Sequence, residues 1–245
     1  MSRHLYGKLK RNAAKLIEGS TQTILMALVF AFIIVSFALS HRQRQENETN
    51  DQLGNQSPIY RVQKNDHVIG NPKKARVVLI NYSDTECPYC KREFFDFQAL
   101  VKEHMDDVAI VYRHSAPQVG RFKNSFTQAK ALECAAVLRD EDTFWSYLDL
   151  IYRTTGSHDG LTYEALISLG KDVGINKKDL EQCIVDNKDV AKKVEWDTQA
   201  GVLSGLQIVP STVLLWADSR DVTILEGLAY SRIIASLSAT SSKSK

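Results

Sequence analysis

A pair of cysteines, Cys87 and Cys90, most constrains the fold of this 245-residue chain, because it stands where a strand gives way to a helix. Residues 76–82 form a nearly continuous apolar run, which is typical of a buried strand. The polar residues 83–86 break this run, and apolar residues then recur at helical spacing to about Met105. A Cys-x-x-Cys pair at the start of a helix is typical of thiol–disulfide chemistry.

The start of a helix suits a reactive thiolate, because unpaired backbone N–H groups and the helix dipole favour negative charge there. Cys87 is therefore predicted to be the attacking thiol and Cys90, one turn later, the thiol that resolves a mixed disulfide. Pro88 and Tyr89 form the dipeptide between them. Glu86, which precedes the pair, is a candidate for tuning the pKa of the thiols.

Two further expectations concern the residues around this pair. Asp84 and Thr85 are predicted to cap the helix through their side chains. A single Cys-x-x-Cys pair is also half of a zinc site, but structural zinc needs four ligands. The sequence contains no second Cys-x-x-Cys pair and no His-x-x-x-His. We therefore predict a redox pair, with no metal and no cofactor.

The N-terminal part of the chain predicts a membrane anchor. Residues 21–40 carry no charge and have about the length that a helix needs to cross a bilayer. Residues 1–20 contain five Lys or Arg and one acidic residue, which favours a cytoplasmic basic segment followed by a retained signal anchor. A cleaved signal peptide is the alternative, although its apolar core is usually shorter. Both interpretations place the remaining chain outside the cytoplasm, where disulfides persist.

The rest of the chain divides into a tether, a folded domain and a tail. The polar residues 41–64 are predicted to form a flexible tether, and the Ser- and Lys-rich residues 238–245 a disordered tail. Residues 65–237 predict strand, helix, strand, a block of helices at about 120–201, a hairpin and a final helix. The fold class is therefore α/β with a mixed central sheet and an inserted helical domain. The net charge of +2, without a basic stripe, argues against nucleic-acid binding.

Several stretches between residues 66 and 237 resemble DsbA-like thiol–disulfide oxidoreductases, in particular the bacterial branch with a single N-terminal anchor. The matching motifs are Gly70-Asn71-Pro72, Tyr82-Ser83-Asp84, Glu86-Cys87-Pro88-Tyr89-Cys90-Lys91, Val111-Tyr112-Arg113-His114, Leu132-Glu133-Cys134, Thr143-Phe144-Trp145 and Val209-Pro210-Ser211-Thr212. The resemblance implies a thioredoxin fold and a cis peptide bond between Val209 and Pro210. It also implies that these two residues lie beside Cys87 and bind an extended substrate chain through backbone groups.

The two remaining cysteines, Cys134 and Cys183, both fall in the predicted helical block. They could be buried free thiols, since free cysteine is often found in protein cores. In an oxidising compartment two leftover cysteines are more often paired, and some of the proteins that the chain resembles carry a second disulfide. We therefore predict a structural Cys134–Cys183 disulfide.

The resemblance favours an oxidase that donates the Cys87–Cys90 disulfide to exported thiol-containing proteins. It implies reoxidation by a quinone-linked membrane partner, DsbB-like or VKOR-like. A reductase or isomerase with the same site is one alternative. The tether at 41–64 is too short and polar for a dimerisation domain of the kind that isomerases usually carry. A non-enzymatic, membrane-anchored chaperone or assembly factor is the alternative from another class.

Overall fold

The computed structural model describes residues 32–37, 40, 58–104, 106–117, 122–156, 158, 160–217 and 222–241. The chain divides into two units, residues 1–56 and 57–245. In the first unit, residues 32–37 and 40 are helical. The predicted anchor at 21–40 lies largely outside the described residues, as do the basic segment 1–20, most of the tether and the end of the tail. Within the part of the chain that is described, no helix has both the length and the apolar character needed to cross a bilayer.

The second unit is built on a mixed sheet of five strands in the order β1-β3-β2-β4-β5. The strands are β1 His67–Ile69, β2 Val77–Ser83, β3 Val108–His114, β4 Ser211–Trp216 and β5 Val222–Glu226. Only the β2–β3 pair is parallel; the pairs β1–β3, β2–β4 and β4–β5 are antiparallel. The mixed sheet was predicted from the sequence, whereas strand β1 was not predicted. Its three residues are too few to show a periodic pattern in the sequence.

Strand β2 is buried along its whole length because both faces of the sheet are covered. Side chains alternate between the faces. The side chains of Val77 and Leu79 pack against buried side chains of the helices that cover one face of the sheet. Ile80 and Tyr82 belong to a second core that includes Ile59 and covers the other. Strand β2 is the central strand, and its C-terminal end is thereby fixed in the middle of the sheet. The cysteine pair follows directly after this end of the strand.

Seven helices of the second unit are described. They are α1 Pro88–Glu103, α2 Ser125–Leu138, α3 Glu141–Thr154, α4 Tyr163–Asp172, α5 Lys177–Asp186, α6 Lys188–Leu203 and α7 Tyr230–Ser241. Helices α2 to α6 form one continuous helical insertion between β3 and β4. Four of its helices begin at residues whose side-chain oxygen accepts a first-turn N–H, namely Asp140, Thr162, Asn176 and Asn187.

Candidate active site

Cys87 occupies the N-cap position of helix α1. Its backbone is extended, with φ −90° and ψ 119°, and its N–H donates to the carbonyl oxygen of Asp84 at 3.1 Å. Pro88 follows in the first turn, where the missing N–H of proline costs no helical hydrogen bond. No side chain caps the helix, so the predicted capping by Asp84 and Thr85 is wrong. The helix start therefore presents its free N–H groups to the cysteine pair.

The two thiols are both free but lie in different surroundings. Cys87 keeps 6% of its surface exposed, whereas Cys90 is fully buried. A hydrogen bond with Cys90 lowers the pKa of Cys87 to about 7 against the opposing effect of burial, and backbone hydrogen bonds with Cys90 and Tyr89 help. Burial and the adjacent Cys87 raise the pKa of Cys90 well above its usual value. Near neutral pH the negative charge therefore resides on the Cys87 sulfur.

Val209 and Pro210 lie beside this sulfur. The peptide bond between them is cis, and the Cys87 thiol lies 3.7 Å from the carbonyl oxygen of Val209. The structure thus brings the pair Cys87 and Cys90 together with the pair Val209 and Pro210, although 122 positions separate Cys87 from Val209 in the sequence.

A groove of about 980 Å³ opens at Cys87 and Pro210. Most of its lining is apolar or aromatic, including Phe122, Leu206 and Ile208. The Tyr89 side chain also lines it and remains 63% exposed. Since apolar side chains bind other apolar groups without strict geometry, the groove is suited to varied peptide segments.

Two carboxylates next to the cysteines, those of Asp84 and Glu86, accept hydrogen bonds from the helical insertion. Ser125 of α2 donates to both oxygens of Asp84, at 2.7 and 2.9 Å. The Glu86 carboxylate accepts the side-chain amide of Gln128 and, at 3.2 Å, the backbone N–H of Gly160. The charge of Asp84 raises the pKa of Cys87. Tuning of the thiols by Glu86 remains a prediction.

Further bonds join helix α1 and strand β2 to the insertion. Lys91 of α1 donates to the carbonyl oxygen of Thr155 at 2.9 Å. The hydroxyls of Ser83 and Tyr152 lie 3.0 Å apart. The insertion therefore contributes to the surroundings of both cysteines.

A buried carboxyl group under the active-site helix was missed by the sequence analysis. Glu93 of α1 is fully buried and accepts from Asn81 at 2.7 Å and from the N–H of Ala229 at 2.8 Å. Burial raises the pKa of Glu93 from 4.5 to about 7, although these hydrogen bonds act in the opposite direction. The sequence signal was a charged residue on the apolar face of the helix.

A second buried polar cluster joins the sheet to the insertion. The Nε2 atoms of His67 and His114 lie 3.0 and 2.9 Å from the same oxygen of Glu133, and His67 Nδ1 lies 2.8 Å from Glu141. Two histidines and a carboxylate could hold a metal ion. However, the ammonium of Lys193 lies 3.9 Å from the same Glu133 oxygen, which favours a network of ion pairs.

Cys134 of α2 and Cys183 of α5 form a disulfide with Cα atoms 5.9 Å apart. Cys134 is fully buried, and Cys183 keeps 8% of its surface exposed. This disulfide links two helices of the insertion, and neither of its cysteines lines the groove.

The sheet order, the Cys-x-x-Cys pair at a helix start and the adjacent cis-proline define a protein of the thioredoxin class. The sequence model described as "Thioredoxin" matches residues 62–215. The chain belongs to the thioredoxin family, as the sequence resemblance implied.

Among solved structures, DsbA2 of Pseudomonas aeruginosa superimposes with a TM-score of 0.58 at 24% identity. That match covers 69% of this chain and 90% of DsbA2. The DsbA-like fold inferred from the sequence is therefore confirmed.

Two curated relatives have different names. The chain is 28% identical over 196 residues to "Na(+)/H(+) antiporter NhaA" of Herminiimonas arsenicoxydans, which covers 78% of the chain but 29% of that protein. It is 29% identical over 143 residues to "Probable disulfide bond formation protein D" of Bacillus cereus, covering 56% of the chain and 64% of that protein. The chain thus matches less than two thirds of either relative's length.

Proposed function

We propose that this chain is an extracytoplasmic thiol–disulfide oxidoreductase that donates the Cys87–Cys90 disulfide to exported proteins. One observation carries the proposal. The accessible sulfur of Cys87 has a lowered pKa, while its partner Cys90 is buried and has a raised pKa. This asymmetry assigns the contact with substrate to Cys87.

The reaction is two thiol–disulfide exchanges. A substrate thiolate attacks the Cys87 sulfur, a substrate–Cys87 bond forms, and the Cys87–Cys90 bond breaks with its electron pair going to Cys90. A second substrate thiolate then attacks the substrate sulfur of the mixed disulfide and expels the Cys87 thiolate. The substrate is oxidised and the protein pair is reduced. A low pKa makes Cys87 a good leaving group, which favours donation of the disulfide.

The groove and the Val209 carbonyl group supply the substrate-binding surface in this proposal. An extended peptide can pair with backbone groups of the cis-proline loop while its side chains contact the apolar lining. Both contacts tolerate many sequences, which suits an enzyme acting on varied exported proteins.

The location and the recycling partner are parts of the same proposal. Residues 21–40 would hold the domain at the outer face of the cytoplasmic membrane, as a single-pass anchor. A quinone-linked membrane protein, DsbB-like or VKOR-like, would reoxidise the reduced pair. The relative named "Probable disulfide bond formation protein D" supports the proposed formation of disulfides.

The redox equilibrium of the Cys87–Cys90 pair with glutathione tests the proposal. We expect an oxidising pair, with a potential nearer to about −120 mV than to about −270 mV, and rapid oxidation of a reduced test protein. Cys87→Ser should abolish the reaction, whereas the double variant Cys134→Ala/Cys183→Ala should retain it.

Other outcomes would favour the alternatives. A potential near that of thioredoxin would favour a reductase or isomerase. Full function of Cys87→Ser in preventing aggregation or in assembly, without any thiol oxidation by the wild type, would favour the non-enzymatic chaperone.

A further inference from the structure

The Glu93 carboxylate lies where the active-site helix meets the two central antiparallel strands. Glu93 is on α1, the helix that Cys87 begins, and is fully buried. Asn81 of β2 donates to one of its oxygens at 2.7 Å, and the hydroxyl of Thr212 in β4 lies 3.5 Å from the same oxygen. Asn81 also donates to the Thr212 hydroxyl at 3.0 Å, and the two residues pair directly across β2 and β4. Glu93 therefore joins α1 to both strands.

The other oxygen of Glu93 holds a segment that leads to the groove. It accepts the backbone N–H of Ala229 at 2.8 Å, and Ala229 is fully buried. The two residues before Ala229, Gly227 and Leu228, line the groove. The Gly227 N–H donates to the carbonyl oxygen of Pro210 at 2.8 Å. A continuous path of hydrogen bonds and backbone therefore runs from Glu93 to the cis-proline loop.

Loss of the Glu93 oxygens would disturb this path at its buried end. A buried N–H without an acceptor is costly, so the segment 227–229 would shift toward another partner. Such a shift would move the N–H group that is bonded to Pro210. Substrate pairing with the Val209 carbonyl depends on how far this loop lies from the Cys87 sulfur, a distance of 3.7 Å. Glu93 is thus placed to fix that distance.

We propose that Glu93 is a positioning residue for substrate binding, whose carboxylate holds the cis-proline side of the groove at a fixed distance from the Cys87 sulfur. The inference rests on the proposed disulfide exchange and concerns the extended part of the substrate, not its thiol. A thiol compound too small to occupy the groove should not sense Glu93, whereas an extended peptide should. A direct effect of Glu93 on the cysteines would instead change both reactions.

The test compares two dithiols as substrates of the oxidised protein. One is a short unstructured peptide with two cysteines flanked by leucine and valine, which can lie along the groove. The other is dithiothreitol, which is too small to occupy it. In each reaction the two substrate thiols become a disulfide, and the Cys87–Cys90 disulfide becomes two thiols. Single turnovers give the half-saturating concentration and limiting rate for the peptide, and the rate constant for dithiothreitol.

We expect Glu93→Ala to raise the half-saturating peptide concentration about 3- to 10-fold, the effect of about one lost hydrogen bond. The limiting rate and the rate with dithiothreitol should stay within about twofold of the wild type, because binding alone is weakened. Glu93→Gln keeps an oxygen for the Ala229 N–H and should stay within about twofold of the wild-type half-saturating concentration. An equal loss in both variants would contradict a role through this hydrogen bond.

Thr212→Val tests the contact of Glu93 with β4 and replaces Glu93→Ala if that variant does not fold. It removes the hydroxyl but keeps the branched shape, and we expect the half-saturating peptide concentration to rise about 2- to 3-fold. Thr223→Val is the matched control. Thr223 is an exposed threonine of the neighbouring strand β5, outside the described lining of the groove. This control should leave both reactions unchanged.

Two results would overturn the inference. The first is a wild-type half-saturating peptide concentration in folded Glu93→Ala, or in Thr212→Val where Glu93→Ala does not fold. The second is an equal fall of the rates with peptide and dithiothreitol, as a direct effect on the thiols or a general distortion would cause. Failure of the proposed function looks different, because the wild-type pair would then exchange with neither substrate.

Discussion

Glu93 places a carboxyl group where burial disfavours its charge. Its pKa of about 7 exceeds the usual 4.5, so the folded protein binds this proton more tightly than the unfolded chain does. The contribution of Glu93 to folding stability therefore falls as the pH rises from about 4.5 to about 7. The loss is on the order of 3 kcal/mol, because one pKa unit corresponds to about 1.4 kcal/mol.

Glu93→Gln should flatten the stability profile across this pH interval, since glutamine carries no titratable proton. The measurement is urea unfolding at several pH values in the oxidised protein, where Cys87 and Cys90 do not titrate. Glu103→Gln, an exposed position at the end of the same helix, is the matched control. A slope in Glu93→Gln as steep as that of the wild type would show that another group is responsible.

The reactive residues themselves could be predicted because their signal is local. Cys87 and Cys90 stand at a strand-to-helix junction that neighbouring residues define. The cis bond before Pro210 could be predicted only from the resemblance, because an ordinary trans proline at the start of a strand is common. Glu93 was missed because nothing in its neighbourhood in the sequence indicates the partners Asn81 and Ala229.

At the scale of elements, the disulfide between α2 and α5 closes a loop of 49 residues. A crosslink of this span restricts the unfolded chain, and we expect it to stabilise the protein by about 2–4 kcal/mol. Cys134→Ala/Cys183→Ala should lower the urea midpoint accordingly while glutathione still exchanges with the Cys87–Cys90 pair. Loss of exchange in a folded double variant would contradict a purely structural role.

The predictability of the elements follows their length and the regularity of their pattern. The apolar run at 76–82 predicted strand β2 to within one residue at each end. The helical block predicted at about 120–201 corresponds to the five helices of the insertion, which lie between Ser125 and Leu203. Strand β1 is too short for this. Its pairing with β3 depends on a partner more than forty residues away, as in the pair His67 and Tyr112.

At the scale of the whole second unit, His67 joins the sheet to the insertion through two carboxylates. Burial opposes its charged form, but the hydrogen bonds and charges of Glu133 and Glu141 dominate and raise the pKa of His67 from 6.5 to about 9. The stabilising contribution of the charged ring is complete below about pH 6.5 and is lost as the pH rises through 9. A change on the order of 3 kcal/mol is expected.

His67→Gln should remove this loss of stability between pH 6.5 and 9. Urea unfolding of the oxidised protein again provides the measurement, because the thiols do not titrate in that form. His104→Gln, at the C-cap of α1, serves as the control. If the profile of His67→Gln matches that of the wild type, the ring is not charged in the folded protein.

The polar contacts between the sheet and the insertion could not be predicted from the sequence. Apolar periodicity predicts a helical block, but it does not show that Glu133 of that block meets His67 and His114. The three residues are separated by long stretches of chain, and polar side chains lack the periodic signal of apolar ones. Only the folded arrangement identifies such pairs.

The hydrogen bonds from Ser125 to the Asp84 carboxylate have an evolutionary consequence. If a shortened descendant joined β3 directly to β4, Asp84 would lose these neutral donors while keeping its negative charge beside the thiolate. That charge raises the pKa of Cys87, and a higher pKa makes Cys87 a poorer leaving group. Minimal versions of this domain should therefore carry a neutral residue at position 84, so that the insertion and this acid are gained and lost together.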